Sequence, residues 1–112
     1  MAAPTREDAS LLIQINQWMA MSDTRSQMMK IFAPDFDPET ADFHDEAVVA
    51  MLGLMETVAT LVKHDLLSYE LVVDWIWVDG IWGRVGPAAL KAREEAGEPR
   101  LYENIEALVN RG

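Results

Sequence analysis

Cysteine is absent from the 112 residues, which excludes disulfides, thiolate metal sites and cysteine nucleophiles. Basic residues are scarce: 9 Lys and Arg stand against 19 Asp and Glu, a formal net charge of −10. That surplus repels phosphate, so the attraction that draws proteins to nucleic acid or an anionic membrane surface is missing, and neither is an expected partner. A basic protein partner fits the sign. No apolar run reaches the ~20 residues that span hydrocarbon. The longest, residues 47–62, contains Glu56 and two threonines and reads as a buried helix, so no membrane insertion is expected. The opening Met-Ala-Ala-Pro-Thr-Arg-Glu-Asp has no basic region followed by an apolar one, so no secretory signal is expected and the cytoplasm is the expected compartment.

Half of the residues are apolar and a quarter are charged, an ordinary balance for a folded globular chain. A domain of this size buries roughly two-thirds of the surface its unfolded chain exposes, enough for a core without a staple. After an arm over residues 1–5, Asp8 or Ser10 is positioned to cap a helix whose apolar stripe is Leu11, Leu12, Ile15, Trp18 and Met19. Ser22-Asp23-Thr24 predicts a break before the stripe resumes at Met28, Met29, Ile31 and Phe32. Pro34 and Pro38 cannot continue a helix, so residues 33–42 form an internal acidic loop. Asp45 and Glu46 suit the positive end of the long apolar helix that follows, with Lys63 and His64 at its other end. Ser68 is the expected cap of a helix over residues 69–78, and Asp79 that of a stretch kinked by Gly80, Gly83, Gly86 and Pro87. Residues 88–96 are strongly helical, Gly97 is a stop, and Pro99 suits the first turn of a terminal helix carrying Leu101, Tyr102, Ile105, Leu108 and Val109. No segment alternates with period two between hairpin turns, and no repeat or linker appears. The expected fold is all-α: a single compact bundle of five or six helices in one domain over 1–112, built around a central apolar helix near residues 45–63.

Few residues carry a chemical pattern. Asp35, Asp37, Glu39 and Glu46 occupy positions 1, 3, 5 and 12 of a calcium-loop spacing. Thr40 stands where the sharp turn needs glycine, Pro38 stiffens the loop and Asp42 replaces the usual apolar residue, so the segment reads as an acidic loop before a helix start. His44 and His64 each lack a second ligand one helical turn away and read as helix-end residues. Ser10, Ser22, Ser26 and Ser68 lie in cap-like or surface contexts with no hydrolase signature. The glycines of Gly80-Ile-Trp-Gly-Arg-Val-Gly-Pro lack the Gly-Lys-Ser/Thr ending of a phosphate loop. No catalytic, cofactor-binding or metal-ligating residue is therefore assigned, and no enzymatic activity is expected.

Tryptophan is more informative. On a helical wheel Trp75 joins Leu71 and Val78, and Trp82 joins Val85 and Ala89, as core positions. Trp77 falls instead with Glu70, Val73 and Asp74 on a charged face, where an indole costs solubility unless another surface covers it. Most of the seven methionines read as core filling. Met21 and either Met28 or Met29 are expected exceptions, because adjacent residues cannot share one buried stripe. The candidate interface is Trp77, Val73, Met21 and Met28.

From Lys63 onward the order Leu66-Leu67, Glu70-Leu71, Asp74, Trp82, Pro87, Arg93, Pro99, Tyr102 and Ile105-Glu106-x-Leu108 resembles an uncharacterised family of small all-helical bacterial domains of unknown function. The resemblance implies a helical fold over residues 63–110 and carries no catalytic residue with it. The expected function is a non-enzymatic interaction or regulatory domain that binds a protein partner or self-associates through an apolar patch. The alternative is a small divalent-metal-binding or hydrolytic protein using residues 35–46. A third reading is an inhibitor that sets its negative surface on a basic target.

Overall fold

Local capping chemistry decides where the helices begin in the computed structural model, which describes residues 3–111. Thr5 opens α1 (Arg6–Met21): its hydroxyl accepts the Asp8 N–H at 3.1 Å, and the Asp8 carboxylate accepts the Thr5 N–H at 2.8 Å. This reciprocal box satisfies two donors that a helix start leaves unpaired. The cap thus sits one turn earlier than the expected Asp8 or Ser10, and Asp8 also accepts the N–H of Ser68 at 3.0 Å. The Thr5 N–H, foremost, holds the Asp8 carboxyl below its ordinary value; desolvation opposes it, while the Thr5 hydroxyl and the Ser68 N–H add to it. Of the arm expected over residues 1–5, residues 1 and 2 lie outside the described residues, and Thr5 belongs to the cap.

Asp23 takes the left-handed conformation, φ 62°, and separates α1 from α2 (Thr24–Ile31). The proline-containing loop follows. Asp45 then caps α3 (Glu46–Lys63) by accepting the Ala47 N–H at 2.9 Å. Ser68 caps α4 (Tyr69–Trp75), which is shorter than the expected 69–78. Ile76 is extended at φ −138°, and the Val78 N–H donates to the Ile76 carbonyl at 2.9 Å around Trp77, at φ −79° and ψ 81°. Trp77 is therefore the centre of an inverse γ-turn, and the helical wheel that grouped it with Glu70 and Asp74 stops short of it. β-Branched residues at 72, 73, 76 and 78 weaken helical continuity at this point.

The stretch expected to kink is instead continuous helix, α5 (Val78–Ala96), with Trp77 rather than Asp79 at its N-cap. Two of its glycines act as seats. A Cβ built at Gly80 would fall inside the Trp77 indole, and one at Gly86 would lie 2.9 Å from Cε2 of Trp82. Each ring lies flat on the helix where a side chain is missing. Gly97, at φ 65°, ends α5, with the Glu98 N–H donating to the Arg93 carbonyl at 3.1 Å. Pro99, Leu101 and Tyr102 then fall in a turn rather than in the terminal helix, and α6 (Glu103–Arg111) starts later than expected.

These six helices, with no strand among the described residues, form an all-α bundle around α3. α3 packs against α2, α5 and α6, while α1 rests on α2 and α4. Val48, Met51, Leu52, Met55 and Val58 of α3 are fully buried, each contributing roughly 1.5–3 kcal/mol by leaving water. Apolar residues around so much of its circumference make α3 the axis of the core. α1 lies at the periphery, burying only Ile15 and Met19 completely. Trp18, expected in its buried stripe, is 43% exposed, because Met19 occupies the inward position beside it. Trp75 and Trp82 are half-buried and pack against the core. No helix of the described residues is long and apolar enough to cross a membrane.

Candidate functional site

The γ-turn between α4 and α5 projects Trp77 from the bundle, and the residue remains 69% exposed. The ring is nevertheless held. It lies over Gly80 and stacks on Phe32, the residue that ends α2, with centroids 5.8 Å apart and planes 10° from parallel. Aromatic pairs of this kind contribute about 0.5–1.5 kcal/mol beyond their buried area. Beside the indole runs a groove of about 200 Å³ lined by Tyr69, Val73, Ile76, Trp77, Leu108 and Val109, with Asp79 also on its wall. Val73, 43% exposed, thus joins Trp77 on one surface.

The two methionines of the candidate interface differ in placement. Met21, at the end of α1, is almost wholly exposed. On α2 the inward positions are Thr24, Gln27 and Ile31, so Met28, one turn before Ile31, packs half-buried against the core and Met29 faces solvent. Of the two adjacent methionines the exposed one is Met29, so Met28 leaves the candidate interface.

A second concave region, of about 470 Å³, is lined by Lys30, Asp35, Phe36, Asp37, Asp42 and Asp45. Three of its carboxylates serve local turns. Asp37 accepts the Glu39 N–H at 3.0 Å, Asp42 the His44 N–H at 2.9 Å, and Asp45 the Ala47 N–H at α3. Short acidic side chains stabilise bends in this way. The loop is fastened by two cations of α5. Arg84 donates from Nε to the Ile31 carbonyl at 2.6 Å and from Nη2 to the carbonyls of Ala33 and Phe36 at 3.3 and 3.1 Å. Its guanidinium also lies over the Phe36 ring, 5.2 Å from the centroid. Two helical turns on, Lys91 donates to the carbonyls of Glu39 and Ala41 at 2.5 and 3.3 Å.

The calcium-loop spacing of Asp35, Asp37, Glu39 and Glu46 does not close into a cage: no three His, Asp or Glu side chains converge around a metal-sized position among the described residues. His44 precedes α3 and His64 ends it, both exposed.

Several residues with structural reach lack any local sequence signature. Phe32, Arg84, Lys91 and Glu56 all bind partners far along the chain. The one available signal is that Arg84 and Lys91 share a face of α5 at a spacing of seven.

The chain belongs to the family described as Domain of unknown function (DUF4760), whose model matches residues 4–111 and so extends the likeness seen from Lys63 onward across α1 to α6. No curated protein and no solved structure matches it.

Proposed function

We propose that this member of the family is a non-catalytic interaction or regulatory domain of the cytoplasm, binding a protein partner or a second copy of itself through the surface around Trp77. The observation that carries the reading is a tryptophan 69% exposed yet fixed by a γ-turn, a glycine seat and a stacked phenylalanine. A ring already held in place loses little conformational freedom when a partner covers it, and tryptophan is the residue type most enriched where binding energy concentrates. Val73 and the groove beside it extend the same apolar surface, and exposed Met21 and Met29 offer adaptable contacts elsewhere on the bundle.

The test is light scattering coupled to size exclusion over a range of concentrations, alongside affinity capture with wild type and Trp77→Ala. Self-association or a captured partner that the substitution abolishes is the expected result. A strictly monomeric wild type, with no partner sensitive to Trp77, overturns the reading.

A further inference from the structure

We infer that the occupant of the Trp77 groove is a basic segment of another protein, one that sets an apolar side chain between Val73 and Trp77 and places lysines or arginines alongside. The inference rests on the interaction surface proposed above and names the chemistry of its partner.

Charge complementarity carries it. Glu70, Val73 and Asp74 share the exposed side of α4, and Asp79 stands on the groove wall at the start of α5. Among the described residues none of these three carboxylates forms an ion pair, the pairs present being Arg93–Glu106 and Arg100–Glu103. One cation, Arg111, reaches a residue of the groove, its guanidinium lying over the Tyr69 ring 4.4 Å from the centroid. Elsewhere the fold turns positive charge inward. Three of the nine basic residues, Arg84, Lys91 and Arg93, are half-buried and donate to main-chain carbonyls. The exterior keeps Arg6, Arg25, Lys30, Lys63, Arg100 and Arg111 to set against its carboxylates. A groove lined by Val73 and Trp77, with Asp79 on its wall and Glu70 and Asp74 unpaired on the same helix as Val73, selects a cationic amphipathic ligand and draws it in electrostatically. A second copy is a poor occupant, because a two-fold contact through this patch would set Glu70, Asp74 and Asp79 against a like-charged surface.

Two synthetic peptides with the same leucine spacing, one with lysine and one with glutamate at the remaining positions, test this by calorimetric titration of the whole chain. The lysine peptide is expected to bind one-to-one and the glutamate peptide not at all. Trp77→Ala is expected to weaken the lysine peptide about tenfold or more. Raising ionic strength toward about 1 M, where the screening length is about 3 Å, is expected to weaken it likewise. Glu70→Gln with Asp74→Asn flattens that salt dependence. If Trp77→Ala loses helical circular dichroism, Val73→Ser on exposed α4 replaces it as the groove variant. Binding unaffected by the groove variant, equal binding of both peptides, or no binding of the lysine peptide each overturns the inference. In the last two cases Trp77-dependent self-association, or Trp77-dependent binding of both peptides, leaves the interaction surface standing. Their absence removes the surface as well.

Discussion

The carboxylate of Glu56, midway along α3, accepts the main-chain N–H of Ile105 in the first turn of α6 at 3.0 Å, across 49 positions of sequence. One turn along α3 the Thr60 hydroxyl accepts from Asn104 Nδ2, also at 3.0 Å. The residue before α6, Tyr102, has φ 59°, so the chain enters this helix through a bend and finds its acceptor on another helix. Glu56→Ala is expected to lower unfolding free energy by about 1–2 kcal/mol, measured by denaturant titration, and Glu56→Gln by less, because its amide oxygen still accepts.

Burial, and secondarily the negative charge of Glu56, holds the Tyr102 phenol above its ordinary value of 10.0. A proton held more tightly in the folded state contributes stability that is complete below the unfolded value and is lost as pH rises through the folded one. Wild type is therefore expected to weaken above pH 10.0, and Tyr102→Phe to remove that part of the decline. Ultraviolet titration in a Tyr69→Phe background reads the phenol directly; adding Glu56→Gln should move it back toward the ordinary value.

Asp8 has the opposite sign. Its carboxyl is held below the ordinary 3.8, first by the Thr5 N–H. The ionised form is favoured in the folded state, so the contribution is present above the unfolded value and disappears as pH falls through the folded one. Asp8→Asn is expected to be less stable than wild type near neutrality, with the difference closing as pH drops below 3.8. Thermal melts across an acid series check it.

Arg84 spans three carbonyls with its planar fork. Arg84→Met leaves those acceptors to water and is expected to cost about 1.5–3 kcal/mol. Arg84→Lys keeps the charge without the fork and should recover only part of it. Because the bonds converge on the segment after α2, limited proteolysis should cut within residues 33–42 faster in Arg84→Met than in wild type.

Gly53 and Gly80 make a contrast within helices. Nothing lies within 4 Å of a Cβ at Gly53, on the exposed side of α3. Gly53→Ala is expected to stabilise by about 0.5–1 kcal/mol in chemical denaturation. Gly80→Ala must displace the Trp77 indole, so near-ultraviolet circular dichroism and partner binding should change while helical content is retained.

What the residues disclosed in advance was mostly local. The break at Ser22-Asp23-Thr24, the cap at Ser68, the stop at Gly97 and the buried stripe of α3 each depend on neighbours within a turn or two, where spacing and propensity act. The join between α4 and α5 falls at Trp77, two residues before the expected Asp79, because apolar spacing runs unbroken through Ile76 and Val78 while the γ-turn is a matter of backbone angles. Thr5 and Asp8 form one reciprocal box, so either residue alone looks like the cap, and only the backbone places Thr5 at the N-cap. Trp77 was legible as exposed, but not the Gly80 seat or the Phe32 stack that hold it. Arg84, Lys91 and Glu56 act on main-chain groups, and a carbonyl or an amide offers no side-chain identity for a pattern to match.

The order of synthesis gives the position of α6 a further meaning. α6 lies against α3, buries Ile105 and Leu108 in the shared core and takes an acceptor from Glu56, yet it is made some 40 residues after α3 ends. At roughly 5–20 residues per second, that flank of α3 spends seconds uncovered on the ribosome. A nascent chain halted after α5 would hold its oiliest helix open to chaperones, and the emergence of α6 closes it.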